Sequence, residues 1–495
     1  MAGPAITRTG TDDVGNMCGA DMTLHAVRRY DARMTTTQTA PRGRADMKTI
    51  ARELDFTDLR VEGKLPDALR GTLVRTGPGL YELFGKKVGH SFEADGVLSA
   101  LRFRGDGLAE GALKLIESEG LKAERRAGKP LFGTRTAYPR RLWNSLRRVR
   151  KNTGNTALMT HGQKLFAMVE SAMPTEIDPK TLRTIGATNL GVIEQSFSAH
   201  PHRVHARNAT IGFGLEYGKD TFVHLYSLED AGSVRRLGKV ALTRPVMLHD
   251  FICTPTHALF LISPVRLHIF KSLFGLANFQ SLFTWEPGDG TEVLVIPLDD
   301  TSKFTRFTVD PFLQWHFAHA KNEGDDLIVH FVKHEDFSSY DGLRASGDAR
   351  GGRLVRGRVE TQTKRLTMDE VWDVPSEFPR IDPRFEGTAS GDFSTVFLMQ
   401  DNPGARSVSM VNVKTGKART HALESHEAGS EVVFVPRSKE AAEGDGWALV
   451  LVYDRQTDQS HLRIIDTARF EESVARCYFP EWVPMTFHGL WMPDA

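Results

Sequence analysis

The chain has 495 residues, with 63 Lys and Arg against 62 Asp and Glu and a net charge of +1. So even a balance excludes the broad positive footprint of a nucleic-acid binder, and no helix-turn-helix, zinc-finger or RNA-motif signature occurs. Three widely spaced cysteines, Cys18, Cys253 and Cys477, exclude a disulfide scaffold and point to a reducing, cytoplasmic compartment.

In chain order, Met1 to Met47 mixes Thr, Gly, Arg and Asp without an apolar core, so it is no secretory signal. Residues 1–50 are expected to be a mobile tail or an over-long start, with Met34 and Met47 as alternative starts. A single catalytic domain is expected over residues 51–495. Gly71 to Gly79 lacks the GK[ST] ending of a phosphate-binding loop and is read as a turn. Downstream of Asp55, short apolar stretches alternate with turn residues, the pattern of an all-β protein. Hairpins are predicted for Met247 to Thr254 with His257 to Val265, for Trp315 to Ala320 with Leu327 to His334, and for Trp447 to Tyr453 with His461 to Asp466. The longest apolar runs, Ala258 to Val265 and Trp447 to Tyr453, fall well short of the ~18 to 20 residues that span a bilayer.

Four segments each place a histidine at the start of a predicted strand: Ala199-His200-Pro201-His202, Leu248-His249-Asp250-Phe251, Trp315-His316-Phe317-Ala318 and Phe487-His488-Gly489-Leu490. Neutral imidazole suits iron, zinc, copper and nickel, so the four read as an all-histidine metal site. They stand 49, 67 and 172 residues apart, and only a closed ring of sheets could gather them. A propeller brings a strand from each sector to one axis, although no GH…WD repeat is present. Taken singly, any histidine is more often a surface or hydrogen-bonded core residue. His202 competes with His200, and His319 with His316, for the inward face. Asp250, adjacent to His249, faces the other side and is read as structural.

Seven ordered blocks then resemble the carotenoid cleavage oxygenases. Gly71-Thr72-Leu73-Val74-Arg75-Thr76-Gly77-Pro78-Gly79 and His90-Ser91-Phe92-Glu93-Ala94-Asp95-Gly96-Val97-Leu98 are similar to that family's RNGP and FDGDGM signatures, with Ala94 and Val97 departing from the second. Asn155-Thr156-Ala157-Leu158, Leu165 to Glu170, Ile177 to Leu182, Glu377-Phe378-Pro379 and Glu431 to Arg437 continue the likeness, which runs from about Asp55 to Pro493. The resemblance implies an all-β, seven-bladed propeller with a dome of loops and short helices capping the metal-bearing face. It implies Fe(2+) held by His200, His249, His316 and His488. Glu170, Glu377 and Glu431 match three glutamates that orient the ligand rings, and Thr156 matches a threonine whose methyl group crowds the sixth coordination position. His319 departs from the family, which commonly has Asn there.

The implied reaction is dioxygen-dependent splitting of a conjugated double bond of a carotenoid or apocarotenoid into two carbonyl products. Phe317, Phe487 and Trp491 flank ligands and are expected to line the substrate tunnel. Stilbene cleavage is the main rival. No tyrosine lies between Tyr81 and Tyr138, where stilbene cleavers carry one to bond the phenol, and Gly111 falls near that position. An iron-dependent isomerase and a metal-free binding scaffold remain as alternatives. Val265 to Phe283 is either a monotopic patch dipping into a bilayer, placing the protein peripherally on a membrane, or a buried loop over the propeller. Beyond dioxygen and an apolar polyene, no obligate partner is expected.

Overall fold

The computed structural model describes residues 47–170, 172–276, 281–341, 351–389, 393–400 and 407–494. Residues 41–495 form one compact unit. Nearly all of the expected tail, 1–50, lies outside the described residues. Ile50 within it is buried, its amide donating to Gly79 O.

Short strands with both faces apolar cannot be satisfied by one sheet; each must be sandwiched between two others. That requirement is met by a ring of seven blades. Ala157–His161 opens a four-stranded blade, His202–Val204 a second and Ile252–Cys253 a third. A seven-stranded sheet beginning at Leu313–Glu323 supplies two more blades. The division falls within the 16-residue strand Arg365–Arg380. Its first part pairs with Gly352–Glu360, and Ser376 to Arg380 pair with Thr395–Gln400. The sixth blade has its inner edge at Glu427–Gly429 and Val433–Pro436.

The last blade closes the circle. Its innermost strand is the C-terminal Gly489–Pro493, paired with Gly71–Leu80, and its outermost is the N-terminal Leu54–Asp58. The neighbouring Arg60–Gly63 crosses to become the outer strand of the adjacent blade, paired with Ser473–Tyr478. Two chain ends thus seal one seam.

Seven apolar layers, one in each gap between adjacent blades, confirm the count. One gap, for example, packs Phe213, Phe251 and Phe260 together with Val204, Leu294 and Ile296. Phe251 and Phe260 stack at 5.1 Å, with Phe213 edge-on at 5.2 and 5.4 Å. Burying such side chains contributes about 1.5 to 3 kcal/mol each, so the layers dominate the stability of the ring.

Above the ring lie the short helices Glu119–Ala127, Tyr138–Leu146 and Ile269–Leu273. They form the expected dome. Ser118 caps the first, accepting from Leu121 N, and left-handed Gly128 ends it.

Two sequence expectations need adjusting. The predicted strand Met247 to Thr254 is strand only at Ile252–Cys253, because 247–251 lead toward the axis instead of pairing. The loop predicted between Ala320 and Leu327 is mostly strand, ending in a two-residue turn at Gly324 (φ +63°) and Asp325. Polar Lys321, Asn322 and Glu323 pair there because a solvated strand end tolerates them.

Candidate metal centre

Every blade delivers one predicted residue to the axis at or just before its innermost strand. In ring order these are Thr156, His200, His249, His316, Glu377, Glu431 and His488. Of the four histidines only His316 lies within a strand, at a point where bulges interrupt the register on either side of Phe317. His200, His249 and His488 precede their strands by one to three residues, contrary to the expectation that each would begin one. A ladder alternates its side chains between neighbouring blades, so a residue aimed along the axis has to stand off it.

The four imidazoles converge, with one ligand atom of each lying within 4.8 Å of the others. His200 Nε2 is 3.1 Å from His249 Nε2, which is 3.2 Å from His316 Nε2. Three rings have their other nitrogen against a carboxylate. His249 Nδ1 is 2.7 Å from Glu170 Oε1, His316 Nδ1 donates to Glu377 Oε2 at 2.7 Å, and His488 Nδ1 donates to Glu431 Oε1 at 2.8 Å. Among the described residues no carboxylate pairs with His200. Thr156 is buried, and its hydroxyl donates to Glu170 Oε2 at 3.2 Å.

This arrangement fits a metal. A proton on Nδ1 leaves Nε2 as a bare lone pair, so acceptors face one another without a donor, an arrangement a cation resolves. The spacing agrees too: nitrogens ~2.1 Å from one ion stand ~3.0 Å apart at a right angle and ~3.4 Å apart at a tetrahedral one. The observed 3.1 and 3.2 Å fall within that range, so the spacing suits one ion.

Burial is the largest influence on each titrating group here. It pushes His200 well below the ordinary imidazole range, helped by the three neighbouring rings, and lowers His488 despite Glu431. In His316 burial is outweighed by Glu377, and the ring is raised. Burial would raise the carboxyls, yet His316 and His334 hold Glu377 far below the usual range. Arg380, His488 and Arg75 likewise bring Glu431 to about 2. All three glutamates are lowered and remain carboxylates at neutral pH.

Sequence reasoning missed the groups that hold the carboxylates. Arg75 is wholly buried; its Nη1 donates to Glu431 O at 2.8 Å and its Nη2 lies 3.9 Å from Oε2. Arg380 Nη1 is 3.6 Å from Oε1. His334 Nε2 contacts Glu377 Oε1 at 2.9 Å. Phe378 has a left-handed backbone (φ +55°), its amide donates to Glu377 Oε2, and its ring stacks on His316 at 5.2 Å. A bulky residue in that region, ahead of a proline, carries strain of about 1 to 3 kcal/mol. Arg75 inside a glycine-rich block and Phe378 before Pro379 were the available signals.

The competitors lie elsewhere. His202 bridges Glu386 and Asp250 at 2.7 and 2.9 Å, and these offset burial to raise it to about 10. Asp250 is structural, as expected, accepting also from Phe317 N at 3.0 Å. His319 stacks on Phe393 at 4.0 Å.

A cavity of about 320 Å³ runs from the dome to His249 and Glu170, walled by Phe92, Phe197, Phe213, Met247, Leu248 and Trp315. Phe317, Phe487 and Trp491 are not in its wall, contrary to expectation. Phe317 faces the inter-blade core and Trp491 packs on Phe103, while Phe487 stands behind Phe92 at 5.4 Å. The cavity wall also includes Asn144 and Ser145 of one dome helix, Ser272 of another and Gly275 just past its end. Around them Trp143, Leu146, Phe270, Phe274 and Leu276 are exposed, Phe270 by 78%. These parts of Val265 to Phe283 are not a buried loop; 277–280 lie outside the described residues.

A sealed ring that brings four imidazoles to its axis and backs three of them with carboxylates defines a propeller metalloenzyme of the non-haem kind. The chain belongs to the retinal pigment epithelial membrane protein family, whose model it matches over residues 47–493. This is a family of non-haem iron oxygenases that cleave carbon–carbon double bonds. The chain is 27% identical to apocarotenoid-15,15'-oxygenase of Synechocystis over 89% of its length and 94% of the relative's. It is 26% identical to isoeugenol monooxygenase of Pseudomonas nitroreducens (89% and 95%). It is 27% identical to lignostilbene-α,β-dioxygenase isozyme III of Sphingomonas paucimobilis (90% and 95%). The crystal structure of cobalt-substituted Synechocystis apocarotenoid oxygenase superposes with a TM-score of 0.81 at 25% identity, covering 90% of this chain and 97% of that one. No helix among the described residues is long and apolar enough to cross a membrane.

Proposed function

We propose that the protein is a non-haem iron dioxygenase that cleaves a conjugated double bond of a carotenoid or apocarotenoid, each carbon leaving as a carbonyl. His200, His249, His316 and His488 hold Fe(2+), and Glu170, Glu377 and Glu431 fix three of the rings. Thr156 steadies Glu170 through its hydroxyl. When bound, the ferrous ion supplies the electronic route by which dioxygen reacts with a closed-shell alkene. The observation that carries this reading is the convergence of Nε2 lone pairs at 3.1 and 3.2 Å beside an apolar cavity.

The chain's own residues bind, orient and keep water out. Phe92, Phe197, Phe213 and Trp315 offer flat apolar faces to an extended polyene. Two groups in the wall that could serve a phenol are already engaged. Lys151 is held by Asp95 and Glu124, and the Tyr217 hydroxyl donates to Val246 O at 2.9 Å. A phenolic alkene is the second reading, favoured by the isoeugenol and lignostilbene relatives.

The exposed Phe270, Phe274 and Leu276, with Lys271 among them and Arg140 and Arg147 on the neighbouring dome helix and its C-terminal cap, support peripheral contact with a membrane at the cavity mouth. A hydrophobic substrate would enter there from lipid. The central experiment incubates ferrous protein under oxygen with carotenoids, apocarotenals, isoeugenol and resveratrol, and weighs the products. Aldehydes from the polyenes are expected; isomerised substrate of unchanged mass, or no oxygen uptake with any alkene, refutes the proposal.

A further inference from the structure

Away from the histidines, the cavity wall carries a second cluster of charge. Asp95 and Glu124 are buried, and Lys151 Nζ lies 2.6 Å from Asp95 Oδ1 and 2.6 Å from Glu124 Oε2. Arg135, with its side chain 2% exposed, completes the group: Nη2 is 3.4 Å from Asp95 Oδ2 and 3.8 Å from Glu124 Oε2. Two anions and two cations cancel. The loop presenting Arg135 is tied on both sides. Glu124 Oε1 accepts from the amides of Leu131 and Phe132 at 2.9 and 3.2 Å, and Glu93 accepts from the Thr134 amide and hydroxyl at 2.9 and 2.6 Å. Arg135 and Lys151 line the same cavity as His249 and Glu170.

One donor in this cluster is left over. Nη1 of Arg135 is buried, with no hydrogen-bond partner among the described residues. An unmade bond of this kind is costly, the more so for a charged group, and calls for an explanation. The planar fork of the guanidinium, held through Nη2, fixes the direction of Nη1. Because the charges within the cluster already balance, Nη1 offers a hydrogen bond rather than a counter-charge. The acceptor that suits it is a neutral oxygen.

We propose that Arg135 is a specificity-determining residue whose Nη1 donates a hydrogen bond to a neutral oxygen at the end of the substrate, a carbonyl or a hydroxyl, while the conjugated chain reaches toward the histidines. This rests on the alkene-cleaving reading above and adds to it which end of the substrate is held and by what.

The test compares three polyenes of equal length ending in a hydrocarbon, an aldehyde or a hydroxyl. Dissociation constants come from quenching of tryptophan fluorescence in the iron-loaded protein, and KM and kcat from product formation. A hydrogen bond from a charged donor is worth about 1.5 to 3 kcal/mol, so the wild type should bind one oxygenated ligand at least ~10-fold more tightly than the hydrocarbon. The stronger arm tells carbonyl from hydroxyl. In Arg135→Met the preference should fall to within about twofold, with KM for the oxygenated substrate rising. The double variant Asp95→Asn/Arg135→Met keeps the cluster neutral and serves if the single one fails to fold. Equal binding of all three ligands by the wild type, or a preference that survives in the double variant, overturns the assignment. Preferential binding without cleavage of any of them would sink the catalytic reading and leave the anchor standing.

Discussion

Glu431 and Glu170 meet their histidines at similar distances, yet their surroundings predict different consequences for the same change. Glu431→Gln removes a negative charge facing Arg75, which is fully buried, and Arg380. Leaving a buried charge without its partner costs about 3 to 5 kcal/mol, and the low end applies because Arg75 keeps Glu431 O and Thr486 Oγ1 as acceptors at 2.8 and 2.7 Å. At ~2.1 cal/mol/K per residue over ~450 residues the unfolding entropy is about 0.9 kcal/mol/K, so ~3 kcal/mol lowers the melting point by about 3 °C. Among the described residues Glu170 has no arginine to abandon, only His249 and the Thr156 hydroxyl. Glu170→Gln should therefore leave the metal-free melting point within about 1 °C of the wild type.

Both variants should weaken metal binding by ~10- to 100-fold, about 1.4 to 2.7 kcal/mol, because each loosens the orientation of one ring. Chelator competition reads the affinity, and thermal unfolding of metal-free protein reads the stability. Equal melting points for the two variants, or affinities unchanged from the wild type, would refute the division of labour between the two carboxylates.

Three further outcomes are expected. Burial lowers His319 to about 4 and His330 to about 3. As pH falls below the unfolded value near 6.5, the unfolded chain takes up protons that these folded rings cannot, so their stabilisation is complete above pH 6.5 and drains toward pH 4. His319→Asn should shift the acid-unfolding midpoint downward by a few tenths of a pH unit, followed by circular dichroism; an unmoved midpoint counts against it. Phe260→Ala should lose about 3 to 5 kcal/mol in chemical denaturation, since the side chain fills an inter-blade layer, and a loss below ~1 kcal/mol would contradict that packing. Phe274→Asp should abolish flotation with liposomes while leaving the melting point intact, and equal flotation would remove the membrane contact.

Much of the architecture was legible because blades are local. Each predicted hairpin pairs neighbouring stretches of chain, and the pairing of Trp447 to Tyr453 with His461 to Asp466 falls within the observed strands. The seven-fold count was not legible from periodicity, since the blades share no repeated motif and one strand, Arg365–Arg380, serves two of them. It rested on resemblance. Among the site residues, the histidines and glutamates stood out because their chemistry is specific and their blocks were intact. Arg75 and Arg380 did not, since arginine near a strand is ordinarily a solvated residue and only coordinates show one buried against Glu431. The tunnel wall was misjudged at Phe317, Phe487 and Trp491 because nearness to a ligand in the chain was taken for a shared face, whereas residues an odd number apart along extended chain point to opposite sides. Arg135 gave no signal, for its importance lies in a hydrogen bond that it does not make.

The histidine nearest the C-terminus, His488, stands one residue before the strand that seals the ring, and its carboxylate Glu431 also accepts from the amide of Gly489 within that strand at 2.9 Å. Coordination and circularisation therefore share a latch. A cation held by the other three imidazoles would gain His488 only once the last strand zips against Gly71–Leu80. Conversely, an ion in place resists any breathing that would part that zipper. Escape of such an ion would then be governed by how often the zipper springs, so a lesion in the outermost strand of that blade, far from the axis, would be felt as faster loss of the ion.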